Sequence, residues 1–124
     1  VILDTIGELG RVYSLGDLVF VGGSLAHIGG HNILEPAAHA KPIVVGPNMF
    51  NFEEIYDLLS SRGACIMVKN ETEFIETCVR IVDDRQMAEN MKRHCIEIVQ
   101  ENQGATRRNL AELQKILDDL HAWR

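Results

Sequence analysis

The stretch Val21-Gly22-Gly23-Ser24-Leu25-Ala26-His27-Ile28-Gly29-Gly30-His31-Asn32-Ile33-Leu34-Glu35-Pro36 holds most of the residues whose types and spacing could do chemistry. Two glycine pairs strip bulk from a loop, so that backbone can approach a guest closely. Asn32 begins the segment after them, and Glu35 follows three residues later. Such a segment predicts a helix N-terminus, where unpaired N–H groups and partial positive charge favour an anion. A phosphate or nucleotide site is the first expectation. Ser24 adds a hydroxyl beside the bare backbone of Gly22-Gly23, fit for a phosphate or a sugar; the competing reading is a tight strand-to-loop turn. Glu35 has two readings as well. It is a capping-box partner of Asn32, or it is an acceptor for a vicinal diol such as that of ribose, since a carboxylate offers several acceptor sites. Gly7-Glu8 repeats the pattern of a glycine at a helix start in weaker form.

Other chemistries fit less well. The spacing of the glycines is not GxGxxG, and no Lys-Ser/Thr pair marks a P-loop. Ser24 lacks the G-x-S-x-G elbow of a nucleophile. His27, His31 and His39 do not have the spacing of a helical zinc pair, and no Cys or carboxylate completes a ligand set; a hydrogen bond from His31 to substrate or phosphate is the more credible role. Asn48, Phe50 and Asn51 either pack a base or sugar or form a polar turn stapling the next helix. Arg107-Arg108 fits a solvated face.

Positioning these residues requires a particular architecture. Leu18 to Val21, Pro42 to Pro47 and Ala64 to Val68 are continuous apolar runs, the pattern of strands covered on both faces; Val1 to Asp4 looks like the end of an earlier strand. Between them lie helical segments: one from Thr5, with an apolar face of Leu9, Val12, Tyr13 and Leu15; a short one over Asn32 to His39, stopped before Lys41-Pro42; and one with Phe52, Ile55, Leu58 and Leu59 inward and Gly63 as its C-terminal cap. Asn70 with Glu73 predicts a capping box for a helix burying Phe74, Ile75, Cys78, Val79 and Val82. Asp83-Asp84 marks a boundary, and Met87, Met91, Cys95, Ile98 and Val99 form the next amphipathic face. Asn102-Gln103-Gly104 predicts an interruption before a last helix with a stripe of Leu110, Leu113, Leu117 and Leu120. Alternating strands and helices with short connections predict an α/β fold: a Rossmann-like parallel sheet with helices on both faces. Ligands bind at the carboxyl ends of strands in such sheets. The loops after Asp4, Val21 and Val45 would converge there.

Length and composition agree. The chain has 124 residues, 46 % of them apolar, which suffices for one domain with a core. A net charge of −6 argues against a nucleic-acid-binding surface. No apolar run approaches the about 20 residues of a membrane span. The three cysteines, Cys65, Cys78 and Cys95, sit apart in apolar stretches, as buried reduced thiols do. The opening Val1-Ile2-Leu3-Asp4 starts inside an apolar run without Met and predicts a fragment of a longer chain.

Asp4-Thr5-Ile6-Gly7-Glu8-Leu9, Asp17-Leu18-Val19-Phe20-Val21-Gly22-Gly23-Ser24 and Gly29-Gly30-His31-Asn32-Ile33-Leu34-Glu35-Pro36-Ala37-Ala38 together resemble the C-terminal domain of 3-deoxy-D-manno-octulosonic acid (Kdo) transferases. Gly46-Pro47 with Asn51-Phe52, and Asn102-Gln103-Gly104-Ala105, fit the same pattern. The family usually has Pro where Ile33 stands, a first-turn position that favours Pro without requiring it. The resemblance implies the C-terminal half of a glycosyltransferase B-type fold, with residues 1–124 as the CMP-Kdo-binding domain and the N-terminal acceptor domain absent from this chain. It implies transfer of Kdo from CMP-Kdo to a lipid A precursor, during synthesis of the inner core of lipopolysaccharide at the cytoplasmic face of the bacterial inner membrane. The fragment itself would be soluble. Carried over by position, CMP contacts fall at Ile6, Gly7 and Glu8 and at Asn32, Ile33, Leu34 and Glu35. Gly22, Gly23, Ser24, Gly30 and His31 are candidate donor-loop contacts. No cofactor or metal is implied. The family's catalytic base lies in the N-terminal domain and no residue here matches it, so the fragment alone would be inactive. The alternatives are the donor domain of another B-type transferase or of a UDP-sugar epimerase, or a non-catalytic nucleotide-binding module.

Overall fold

The computed structural model describes Ile2 and residues 8–122. The expected first strand falls on Val1 to Asp4 and, like Ile6 and Gly7, lies outside the described residues apart from Ile2. Among the described residues the chain forms helix α1 (Leu9–Tyr13), strand β1 (Val19–Val21), helix α2 (Leu34–Ala38), strand β2 (Ile43–Val45), helix α3 (Glu53–Ser61), strand β3 (Cys65–Met67), helix α4 (Glu71–Asp83) and helix α5 (Arg85–Ala122). The three strands make one parallel sheet in chain order, with Val19, Ile43 and Cys65 level at one end and Val21, Val45 and Met67 at the other.

The sheet is covered on both faces, as the apolar strands predict. Strand residues alternate between faces, so Val21, Ile43, Val45 and Cys65 enter one core with Ile33, Ala37, Leu59, Ala64, Cys95 and Ile98. Val44 enters the other with Val68, Ile81 and Met91, and Phe20 and Ile66 pack against it. Central β2 is fully buried along its length. Each such Val or Ile stabilises the fold by about 1.5–3 kcal/mol relative to exposure. Helices α2 and α3 lie on the first face and α4 on the second.

The helix ends follow local chemistry. Gly63 takes φ +75° after α3, and its N–H reaches the Ser60 carbonyl at 3.1 Å. Asn70 Oδ1 accepts from Glu73 N–H at 2.9 Å, while the Glu73 carboxylate reaches back to Lys69 N–H at 2.8 Å. Asp84 is extended and separates α4 from α5, and its Oδ1 accepts from Met87 N–H at 3.1 Å.

Four expectations require correction. First, α4 buries Thr77 and Ile81, with Phe74 and Cys78 packed beside them, whereas Ile75, Val79 and Val82 are exposed. The apolar residues form an arc wider than the sheet can cover, so the sheet chose the face; Phe74 meets Phe20 edge-on, with ring centroids 4.8 Å apart. Second, Leu58 of α3 is exposed. Third, α1 buries none of its residues; its apolar side remains largely open. Fourth, Asn102-Gln103-Gly104 does not interrupt α5, which runs 38 residues without a break. One interior Gly costs only about 1 kcal/mol, and no proline is present to stop the helix. The Leu110, Leu113, Leu117 and Leu120 stripe is exposed along the far end of α5.

All three cysteines are free thiols. Burial pushes Cys65 up to about 12 and Cys95 up to about 11, so neither is a reactive thiolate at neutral pH. Cys95 Sγ lies 3.4 Å from the Lys41 carbonyl, just before β2. Helix α5 therefore crosses the amino ends of the strands, leaving the carboxyl ends clear.

Candidate functional site

At the carboxyl end of the sheet, two loops are fastened together. Ser24 is completely buried. Its hydroxyl donates to the Val21 carbonyl at 2.5 Å and accepts from Gly46 N–H at 2.8 Å. Asn48 N–H bonds the Ser24 carbonyl at 2.9 Å, and the Asn48 and Asn51 side-chain amides donate to the Leu25 and Ile28 carbonyls at 3.2 and 3.3 Å. The Ser24 hydroxyl is thus engaged inside the protein, between the two loops.

The glycines divide by what surrounds them. A Cβ on Gly30 would lie 2.3 Å from Met49 Sδ, and one on Gly29 would lie 2.3 Å from Asn51 Nδ2, so this pair serves the contact between loops. Gly30 is buried. A Cβ on Gly23 would lie 3.1 Å from His31 Nε2; Gly23 makes room for that ring. Gly22 has nothing within 4 Å of where its Cβ would stand.

Gly22 borders a cleft of about 260 Å³, lined also by Leu9, Tyr13, Val21, His31 and Asn32. This cleft is open at the carboxyl end of β1, between α1 and the start of α2. Asn32 Oδ1 accepts from Leu34 N–H at 3.0 Å, so the turn closes on Asn32 and the helix starts only at Leu34. The N-cap is Ile33, without a side-chain cap bond. The expected capping box of Asn32 and Glu35 is therefore absent: Glu35 stands at the second helical position, exposed, and accepts no hydrogen bond from the described residues. Ile33 is fully buried in the core and Leu34 is half-buried, which leaves mainly their backbone to meet a guest. Helix α2 has five residues, too few for a large macrodipole, so any anion here depends on individual N–H groups. The N–H of Leu34 is already engaged and Pro36 has none, which leaves that of Glu35 in the first turn.

Among the sequence candidates, the fold brings Gly22, His31 and Asn32 to one cleft, with Glu35 one turn on and Glu8 immediately before α1. Ile6 and Gly7 lie outside the described residues. Tyr13, expected only on an apolar helix face, also lines the cleft. The signal available was a polar aromatic one helical turn after Leu9. Burial and then the charge of Glu35 push the Tyr13 phenol above its ordinary value. The histidines are dispersed: His27 stacks on Phe50 at 5.0 Å, His31 covers Gly23 and His39 meets Tyr13. Among the described residues no group of three His, Cys, Asp or Glu could hold a metal. Another hollow, of about 340 Å³, lies along residues 50–55 and takes in the candidates Phe50 and Asn51, while Gly22, His31 and Asn32 gather at the first cleft.

A parallel sheet wrapped on both faces, with its cleft at the carboxyl strand ends, is the architecture of the C-terminal half of a glycosyltransferase B-type fold. The particular kinship comes from known proteins. The chain is 35 % identical over 116 residues to the 3-deoxy-D-manno-octulosonic acid transferase of Haemophilus influenzae, an alignment covering 93 % of this chain and 27 % of that protein. It is 37 % identical over 75 residues to the transferase of the same name from Aquifex aeolicus, covering 60 % and 21 %. The crystal structure of the C-terminal CMP-Kdo binding domain of WaaA from Acinetobacter baumannii superposes with a TM-score of 0.75 at 33 % identity, covering 79 % of this chain and 51 % of that one. No family model matches. In sequence and in fold, the chain is a relative of the Kdo transferases, matching their C-terminal domain. It spans about a quarter of the length of the curated relatives it matches. Among the described residues no helix is long and apolar enough to cross a membrane.

Proposed function

We propose that this chain is the donor-binding domain of a Kdo transferase, and that the cleft between α1 and α2 receives the CMP part of CMP-Kdo. The observation that carries this reading is Glu35. It is an exposed carboxylate in the first turn of α2, three residues after the cleft-lining Asn32, with no hydrogen bond from the described residues, in a fold shared with a solved CMP-Kdo-binding domain. A carboxylate in that state is ready to accept from the two hydroxyls of a ribose. Gly22 leaves room for the sugar or phosphate, and in this reading Gly7 and the Glu35 backbone N–H in the first turn of α2 serve the phosphate. As the glycosidic bond breaks, CMP departs with growing negative charge, and preorganised N–H donors stabilise that charge without a metal. Asn32 borders the same space, and Glu8 immediately precedes the cleft-lining Leu9. His31, Gly23 and Gly30 shape the neighbouring loop for the Kdo portion.

The acceptor in this reading is a lipid A precursor, bound through the N-terminal half of the full-length protein at the cytoplasmic face of the inner membrane. The catalytic base belongs to that half, so the 124-residue chain binds donor but does not turn over.

Calorimetric titration of the chain with CMP and with UDP tests the reading. CMP is expected to bind, UDP to bind more weakly, and Glu35→Ala to weaken CMP by about tenfold or more, the worth of a hydrogen bond to a charged group. Unchanged CMP affinity in Glu35→Ala, or no preference over UDP, would overturn it.

A further inference from the structure

His31 is placed by backbone on two sides. The Gly30 N–H donates to the Gly23 carbonyl at 3.0 Å, closing residues 23–30 into a loop whose ends meet. Gly30 is itself buried against Met49, so the residue after it starts from a fixed point. The ring of His31 then lies back over Gly23: a Cβ there would come within 3.1 Å of Nε2 and 3.2 Å of Cδ2. Gly23 has φ +71°, so a glycine at this position serves both the turn and the ring. Nδ1 is on the other edge of the imidazole. Neither nitrogen has a hydrogen-bond partner among the described residues. His31 is exposed and lines the cleft with Gly22 and Asn32. No Lys or Arg is among the described residues that line this cleft, whereas an imidazole presents at least one N–H donor in either protonation state.

We propose that His31 donates a hydrogen bond to the phosphate of the bound nucleotide, and that Gly23 is the positioning residue that seats its ring for that contact. This rests on the nucleotide reading of the cleft and deepens it by assigning a side chain to the phosphate, which that reading left to backbone groups. The phosphate joins the nucleoside to the Kdo portion, and His31 stands where the glycine loop ends and the cleft begins. A ring held over Gly23 meets the anion with little rotamer freedom left to lose.

The experiment compares CMP with cytidine, which lacks the phosphate, on the 124-residue chain and its His31→Ala variant, by NMR titration so that millimolar affinities are still read. His31 is exposed, so a thermal melt of the variant is expected to be unchanged. His31→Ala is expected to weaken CMP by about tenfold, the worth of a hydrogen bond to a charged group, and to leave cytidine within about twofold. Gly23→Ala, whose methyl would meet the ring, is expected to weaken CMP as well, but to have no further effect when His31 is already Ala, since the two residues act through one contact. Unchanged CMP affinity in His31→Ala, or an equal loss for both ligands, would overturn the phosphate contact while leaving the cleft reading intact. A loss from Gly23→Ala that persists in the His31→Ala background, or the absence of a nuclear Overhauser contact between His31 Hδ2 and the Gly23 α-protons in the unaltered chain, would overturn the positioning role. Failure of the unaltered chain to bind CMP at all would remove the cleft reading and the inference together.

Discussion

Ser24 and Glu35 belong to one glycine-rich stretch, and both offer oxygen to a passing ligand when seen in the sequence alone. Their surroundings in the fold are opposite. The Ser24 hydroxyl is sealed from solvent and bonded on both sides, to Val21 and Gly46. Glu35 is exposed and holds its acceptor capacity in reserve. The stretch thus does two jobs. Residues 23–30 fasten the first loop to the second, while His31 and Asn32 border a cleft and Glu35 is exposed just beyond them. A buried polar group must be satisfied internally, whereas a binding group is useful because it is not.

Substitutions can break this contrast or sharpen it. The largest expected effect is from Gly46→Ala. A Cβ there would lie 2.5 Å from the backbone of Ser24 and Leu25, atoms that cannot swing aside. A loss of about 3 kcal/mol in urea unfolding is expected, at the upper end for overpacking. Ser24→Ala comes next. It strands the buried Gly46 N–H and should cost about 2 kcal/mol by the same measurement. Glu35→Ala should behave in the reverse manner, leaving stability within about 0.5 kcal/mol while CMP affinity falls. Gly22→Ala is the mildest. Its new methyl meets no protein atom, so the unfolding midpoint should not move, but the methyl enters the cleft and should weaken CMP in the same titration. If Ser24→Ala lowered CMP affinity without loss of stability, the division between fastener and site would be wrong.

The parts of the molecule legible in the sequence are those where one physical demand dominates. Leu18 to Val21, Ile43 to Val45 and Cys65 to Val68 could only be strands covered on both faces, since their apolar runs are too short for helices and are bounded by Gly and Pro. Gly63 and Asn70 fixed helix ends through local geometry that needs no tertiary partner. Where two demands compete, the sequence was ambiguous. Ser24 beside two glycines is equally consistent with a ligand contact and an internal fastener, and only the approach of Gly46 decides. Asn32 could cap a helix or close a turn; its bond to Leu34 N–H delays the helix and places Glu35 out of reach of a capping box. Helix α4 carries apolar residues on too many sides for its buried face to be read, and α5 tolerates a glycine that looked like a break. Tyr13 was hidden because its role depends on a helix packed across from it, not on its neighbours in the chain.

Helix α5 touches both sides of the sheet. Met91 lies in one core, and Cys95 and Ile98 lie in the other. Neither core can open without disturbing the same rod. Amide exchange from β2 and from the first half of α5 should therefore share one opening event, with the free energy of global unfolding. The stripe beyond residue 105 is free of that constraint and should exchange by fraying. A domain clasped in this way gives its cleft a rigid floor, so that a ligand meets a surface whose shape was fixed from beneath.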